Sequence, residues 1–387
     1  MEDVHRRHIC QQNSPDIFQD QQNNARYLLM EEAQRFMQRA LELALKGHRQ
    51  VAPNPLVGAV VVNNGNVIGE AYHQRFGGLH AEVLAANSVA DRSLLADSTL
   101  YVTLEPCCHF GKTPPCTDLI LEHRIPRVVI ATRDPFPSVS GKGIEVLKSA
   151  GVDVSLGICE KDARWVNRRF FSLYEKRRPY VILKWAETKD GYIANSDYSS
   201  KWISSASSRA RVHEWRAEES AILVGPRTAL VDNPFLTARP EKSSEDTEAP
   251  GRQPLRVVLD PKGKLPRSSN VFNDAAETLV ITRSNDRRDK LPPHLSFEEI
   301  DWAGKIPAQV LGHLASRRIV SVIIEGGSYT LQEFIEANLW DEARIFTSQE
   351  LFGEGVKAPC LEGTERAHET IDQDSLRILV NKSNVYA

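Results

Sequence analysis

Apolar positions recur along the chain with two periods, and the switches between them mark out the elements. Over residues 31–46, Phe36, Met37, Ala40, Leu41, Leu43 and Ala44 fall at helical spacing, and Gly47 ends the run. Past the Pro53-Asn54-Pro55 turn, residues 56–62 are almost uniformly apolar, which predicts a strand covered on both faces. Asn63-Asn64-Gly65-Asn66 predicts a hairpin turn into a strand over 67–72. Helices over 80–90, 117–123 and 143–150 alternate with strands over 100–104, 127–132 and 152–156. Such alternation predicts a layered α/β domain.

Residues 159–178 are charged and aromatic, with Trp165, Phe170, Phe171 and Tyr174, and read as one connecting helix packed between domains. A second run of strands is expected at 180–185, 221–225, 255–260, 278–282, 320–325 and 342–347. Helices are expected over 207–219, with Ser204 or Ser205 as N-cap, and over 330–338. This half is again α/β with mostly parallel pairing. The polar stretch 241–253 reads as a loop, and residues 1–29 as a flexible extension with little to bury.

Composition narrows the class. A chain of 387 residues exceeds one ordinary core, so two domains are expected. With 41% hydrophobic and 26% charged residues and a net charge of -3, nothing points to nucleic acid or to a membrane surface. No apolar run reaches the length of a membrane span, and the polar start lacks a signal-peptide core, so a cytoplasmic location is expected. Six cysteines in so long a chain do not make a disulfide framework.

The cysteines do make chemistry. His80-Ala81-Glu82 is followed by Pro106-Cys107 and, after a longer insert, by Pro115-Cys116. His-x-Glu with Pro-Cys-x-x-Cys is the zinc deaminase signature, here with a wider gap between the cysteines. His80, Cys107 and Cys116 would hold zinc and leave a fourth position for water, as catalytic rather than structural sites do. Glu82 is placed to move protons between that water and a leaving amine. Cys108 and His109 are adjacent to a ligand and cannot easily share its ion, and His73 has no neighbouring thiol in its strand. Asn54 reads equally as a substrate amide or as a plain turn residue. Lys112 reads as a phosphate contact or a solvated loop lysine.

In the second half, Ile324-Glu325-Gly326-Gly327-Ser328 and Leu223-Val224-Gly225-Pro226-Arg227-Thr228 are Gly-containing strand-to-helix turns. Turns of this kind let phosphate approach backbone amides, and two of them favour a dinucleotide across the sheet. Lys184 and Asp190 read as substrate contacts or as a surface pair. Arg216 and Arg239 read as phosphate-holding forks or as surface cations.

Together, Pro53-Asn54-Pro55-x-Val57-Gly58, His80-Ala81-Glu82-Val83 and Thr103-Leu104-Glu105-Pro106-Cys107 through Thr113-Pro114-Pro115-Cys116 closely resemble the bifunctional deaminase-reductases of riboflavin biosynthesis. Lys184 to Gly191, Trp202-Ile203-Ser204, Asp232-Asn233-Pro234 and Glu325-Gly326-Gly327 extend the resemblance through the second half.

The resemblance implies a three-layer, cytidine-deaminase-like domain with zinc over 30–160, a connector over 161–178 and a dihydrofolate-reductase-like domain over 179–387. It implies NADPH contacts at Ala186, Trp202, Ser204, Thr228, Asp232, Gly327, Ser328, Tyr329, Thr330 and Leu331. A ribose-phosphate substrate would lie near Ser200, Arg216, Leu236, Arg239 and Glu325, with Lys184 beside it. The activities implied are hydrolytic deamination of a phosphoribosylated diaminopyrimidine and reduction of its ribosyl group, in a homo-oligomer acting on small molecules. Cys108, Phe136 and Ala186 depart from the residues usual at those places, Phe136 standing where Asn is usual. A deaminase of another base with a nucleotide-binding module, and a non-catalytic zinc-stabilised interaction protein, are the alternatives. The wide Cys–Cys gap opposes the first, and Glu82 beside an open three-ligand site opposes the second.

Overall fold

A computed structural model describes residues 15–111, 113–199, 203–239, 252–283, 291–384 and 386, with side chains described from residue 29 onward. Its first helix, α1 (Pro15–Leu45), starts well before the apolar stripe at Phe36. The expected extension over residues 1–29 is therefore helical from Pro15 onward. Proline suits the first helical position, and the Gln/Asn-rich first half carries no apolar period that would have revealed a helix.

The strand β1 (Gly58–Asn63) lies wholly buried at the centre of the first domain. It pairs antiparallel with β2 (Asn66–Tyr72) through the Asn64-Gly65 turn. The chain continues through α2 (Ala81–Ser88), β3 (Thr99–Val102), α3 (Cys116–Glu122), β4 (Arg127–Ile130), α4 (Lys142–Ser149) and β5 (Asp153–Leu156). The sheet order is β2-β1-β3-β4-β5, with β3, β4 and β5 parallel. Ala59 and Val61 pack with Ala81, Ala85, Ile120 and Ile144 from the helices on one face. Val60 and Val62 pack with Phe36, Met37 and Ala40 of α1 on the other. That two-sided burial is why β1 shows no polar alternation. Gly58 lets α1 close onto the strand, since a Cβ there would sit 1.9 Å from the Ala40 carbonyl oxygen.

The connector is two helices, α5 (Glu160–Val166) and α6 (Arg168–Glu175), rather than one. Asn167 breaks it because its side chain serves another segment, accepting from Leu56 N and donating to Leu56 O, each at 2.8 Å.

The second domain runs through β6 (Tyr180–Glu187), β7 (Tyr192–Ala194), α7 (Ala206–Glu218), β8 (Ala221–Val224), α8 (Pro226–Val231) and β9 (Leu255–Leu259). It continues through β10 (Thr278–Thr282), β11 (Leu295–Glu299), α9 (Ile306–Ser316), β12 (Ser321–Ile324), α10 (Ser328–Glu336) and β13 (Glu342–Thr347). It ends with β14 (Val356–Lys357), β15 (Thr364–Ile371) and β16 (Asp374–Val380). Ser205, one of the two expected caps, caps α7 by accepting from Ser208 N. The nine-stranded sheet has the order β11-β10-β9-β8-β12-β6-β13-β16-β15. It is parallel from β11 to β13, and β16 and β15 add antiparallel at one edge. One face packs on α9 and α10 through Val310, Leu311, Leu314, Leu331 and Phe334. The other packs on α6 and α7 through Phe170, Phe171, Val212 and Trp215, and Leu104 of the first domain joins that core. The carboxyl ends of β6, β12, β8 and β9 thus line up in a row, where open α/β sheets bind ligands.

Candidate active sites

His80 is the N-cap of α2, with extended backbone and no side-chain cap bond, so its ring is free to turn inward. Cys107 follows the buried end of β3, and Cys116 opens α3. Their donor atoms meet: His80 Nδ1 lies 3.2 Å from Cys116 Sγ and 3.5 Å from Cys107 Sγ, and Cys116 N donates to Cys107 Sγ at 3.3 Å. Tetrahedral zinc with ordinary bond lengths would separate such donors by about 3.6–3.8 Å, so the set fits the ion with only slight expansion. Among the described residues it is the one His/Cys/Asp/Glu group with this convergence. The thiols share protons with the ring. Cys107 is pushed down to about 4 by its contact with Cys116, helped by His80, while Cys116 is pushed up. His80 is pushed up to about 9 by its hydrogen bond with Cys107, so binding a metal would release the protons held by the ring and by Cys116.

Glu82, in the first turn of α2, is buried against this cluster, and burial first, then the Cys107 charge, raises its pKa. Asn54 donates to His73 Nε2 at 3.1 Å, and His73 Nδ1 donates to Leu79 O at 2.9 Å. The His73 ring packs edge-on to His80, 5.7 Å away. His73 is therefore no ligand, and it holds Asn54 beside the site. Glu105, in the Glu-Pro-Cys run, has a role that the sequence pattern did not give it. Its carboxylate accepts from the amides of Asp134, Gly141, Gly143 and Ile144 at 2.9–3.3 Å. Those bonds anchor the base of Cys107 to the segment leading into α4.

The second site is a cleft of about 1950 Å³ along the carboxyl ends of the parallel strands. That volume is larger than ordinary single-ligand pockets and leaves room for a dinucleotide and a substrate together. Lys184, Ala186, Ser204, Arg216, Thr228, Asp232, Leu236, Arg239, Glu325, Gly327, Ser328, Tyr329, Thr330 and Leu331 all line it. Trp202 and Ser200, like Lys112 and most of the loop expected over 241–253, lie outside the described residues. Leu236 and Leu331 send their side chains into the cores, which leaves their backbone to face the cleft.

Arg216 and Glu325 are not independent contacts. Arg216 donates twice to the Glu325 carboxylate, at 2.7 and 2.6 Å. Burial alone would raise Glu325, and the Arg216 charge and hydrogen bonds outweigh it and hold the group at about 2. Lys184 is pulled down by burial, against the pull of Glu325. Gly327 caps α10 without a side-chain bond, so the first-turn amides remain open for an anion. Gly225 admits the start of α10 closely: a Cβ there would lie 2.2 Å from Thr330 Oγ1. An uncapped helix start beside bare glycine backbone and a large cleft fits a dinucleotide pyrophosphate. Asp190 instead ties the β6–β7 turn to the segment before β14, accepting from Thr188 Oγ1 and from the amides of Phe352 and Gly353.

Residues 30–132 match the cytidine and deoxycytidylate deaminase zinc-binding region, and residues 179–379 match the RibD C-terminal domain. The riboflavin biosynthesis protein RibD of Aquifex aeolicus is 42% identical over 322 residues, covering 83% of this chain and 88% of that protein. The chain belongs to the RibD family. RibD of Escherichia coli is 35% identical over 86% of this chain and 92% of its own length. A Thermotoga maritima diaminohydroxyphosphoribosylaminopyrimidine deaminase/5-amino-6-(5-phosphoribosylamino)uracil reductase superposes with a TM-score of 0.80 at 40% identity, covering 91% of this chain and 99% of its own. An Acinetobacter baumannii RibD gives 0.82 at 33% identity, with the same coverage. As a RibD protein the chain is a bifunctional deaminase and reductase of riboflavin biosynthesis, with zinc and NADPH as its cofactors. The cytidine-deaminase-like and dihydrofolate-reductase-like domains expected from the sequence agree with this family.

Proposed function

We propose that residues 30–160 deaminate 2,5-diamino-6-(5-phosphoribosylamino)pyrimidin-4-one, that residues 161–178 connect the domains, and that residues 179–387 reduce the ribosyl group of the product to ribityl. The convergence of His80 Nδ1 with the two thiol sulfurs supports the first step. His80, Cys107 and Cys116 would hold zinc, which would lower the pKa of a water at its fourth position. Glu82 takes a proton from that water and returns protons to the ring nitrogen and the departing ammonia. Its burial raises the carboxyl pKa, which favours a group that must accept a proton and then donate it. Asn54, held by His73, orients the pyrimidine.

In the cleft, Gly327, Ser328, Tyr329, Thr330 and Leu331 receive the cofactor phosphates at the start of α10. Ala186, Trp202, Ser204, Thr228 and Asp232 hold the rest of it. NADPH supplies the hydride. Lys184 and the Arg216–Glu325 pair orient the ribose hydroxyls, and Ser200, Leu236 and Arg239 flank the sugar phosphate. We also propose a cytoplasmic homo-oligomer, which light scattering on the purified chain checks. No helix among the described residues is long and apolar enough to cross a membrane.

The test is to incubate the chain with the diaminopyrimidine, with and without NADPH, and weigh the products. The expected result is a deaminated product alone without NADPH, and a ribityl product with it. NADPH absorbance falls only after ammonia appears. NADPH oxidation without prior ammonia release would overturn this order.

A further inference from the structure

The segment between the two zinc-site cysteines begins and ends on metal ligands, so what fixes the segment also fixes the site. Within it, Gly111 N donates to Thr113 O and Cys116 N to Cys107 Sγ, both at 3.3 Å. A side chain carries it outward. The exposed His109 ring meets Phe136 at 6.1 Å between centroids, and Phe136 meets Tyr174 of α6 edge-on at 5.2 Å. Tyr174 continues to Phe170 at 4.8 Å, and Phe170 to Phe171, within the core of the second domain.

Phe136 itself is rigidly seated. Its amide donates to Asp134 Oδ1 at 2.7 Å, and its carbonyl accepts from Val139 N and Ser140 N, both at 2.9 Å. Asp134 N in turn donates to Glu105 Oε2, the carboxylate that anchors the base of Cys107. The ring thus joins a fixed turn of the first domain, the loop between its metal ligands, and the connector helix α6, which packs in the core of the second domain.

We propose that Phe136 is a positioning residue of the deaminase, clamping the loop between the two ligand cysteines to α6. The deaminase site is therefore fully formed only against the second domain. Aromatic pairs in such offset and edge-on contacts are worth more than the area they bury, so removing one loosens the loop without unfolding either domain. The proposal rests on the deaminase reading of His80, Cys107 and Cys116.

The experiment uses the full chain with Phe136→Leu, Phe136→Tyr, Tyr174→Leu and the Phe136→Leu/Tyr174→Leu double variant. Deaminase kcat and KM, bound zinc and reductase kinetics on the deaminated substrate are read for each. Phe136→Leu and Tyr174→Leu are each expected to raise the deaminase KM about tenfold, with kcat, zinc content and reductase kinetics unchanged. Phe136→Tyr, which keeps the ring, should restore KM. The double variant should be no worse than either single one, because both cut the same clamp. A KM within twofold of wild type in both single variants overturns the proposal. So does parallel loss of zinc and reductase activity, which would mark a general packing role. A wild-type chain that releases no ammonia would instead overturn the deaminase reading beneath it.

Discussion

Glu325 illustrates how a residue's chemistry depends on what surrounds it. In the sequence it is one acid before two glycines, and in the fold it is a buried carboxylate held by the forked bonds of Arg216 near Lys184. Removing one member of such a buried pair leaves the other charge without compensation, at about 3–5 kcal/mol. Glu325→Gln and Lys184→Ala are therefore expected to lower reductase kcat/KM by at least tenfold while ammonia release stays normal. Unchanged reductase kinetics in both variants would remove these residues from the ribose site. The metal residues were legible at this scale because thiolate, imidazole and a following acid form a dense local pattern. His73 and Glu105 were not. Each acts through a partner distant in sequence, Asn54 in one case and the amides of residues 134–144 in the other, and neither spacing nor residue type reveals such a partner.

Among elements, the strand-to-helix turns carry the reductase. The helix α10 starts against Gly225, whose missing side chain leaves room for Thr330. Gly225→Ala places a methyl 2.2 Å from Thr330 Oγ1, so the Thr330 side chain must turn away or α10 must shift, at a cost of about 1–3 kcal/mol. The expected outcome is weakened NADPH binding, read by fluorescence titration, with ammonia release unaffected. Normal NADPH affinity in that variant would count against α10 as the phosphate seat. Strands covered on both faces, such as β1 and β12, announced themselves by uninterrupted apolar runs. The edge strands β11 and β15 went unanticipated because they are half or fully open to solvent and rich in Glu, Thr and Ser. The helix α9 has a buried stripe at Val310, Leu311 and Leu314 that the sequence expectation did not include.

Across the whole molecule, buried ion pairs join the connector to the second sheet. Arg169 donates twice to Glu219, Arg344 donates to Glu342, and Arg168 reaches Glu342 at 3.4 Å. For both acids burial alone would raise the pKa, yet the arginine charges prevail and hold Glu219 and Glu342 at about 2 against an ordinary 4.5. A carboxylate depressed on folding contributes stability that is present above its unfolded pKa and lost as pH falls through its folded one. Unfolding followed by urea should therefore show stability dropping between about pH 4.5 and pH 2. Glu219→Gln should flatten that slope and destabilise the neutral-pH protein by about 3 kcal/mol. An unchanged slope would show that these pairs do not govern it. None of this network was visible in the sequence, since its members lie on α6, α7 and β13 and meet only once the domains have packed.

The account as a whole rests on two chemistries housed separately in one chain, the first working through Glu82. The most direct measurement is to compare wild type with Glu82→Gln in two assays: ammonia release from the diaminopyrimidine, and NADPH oxidation with the already deaminated substrate. Glu82→Gln should retain zinc, lose ammonia release by about 10²–10⁴-fold and oxidise NADPH at the wild-type rate. Ammonia release within a few-fold of wild type would contradict it, as would a matching collapse of NADPH oxidation.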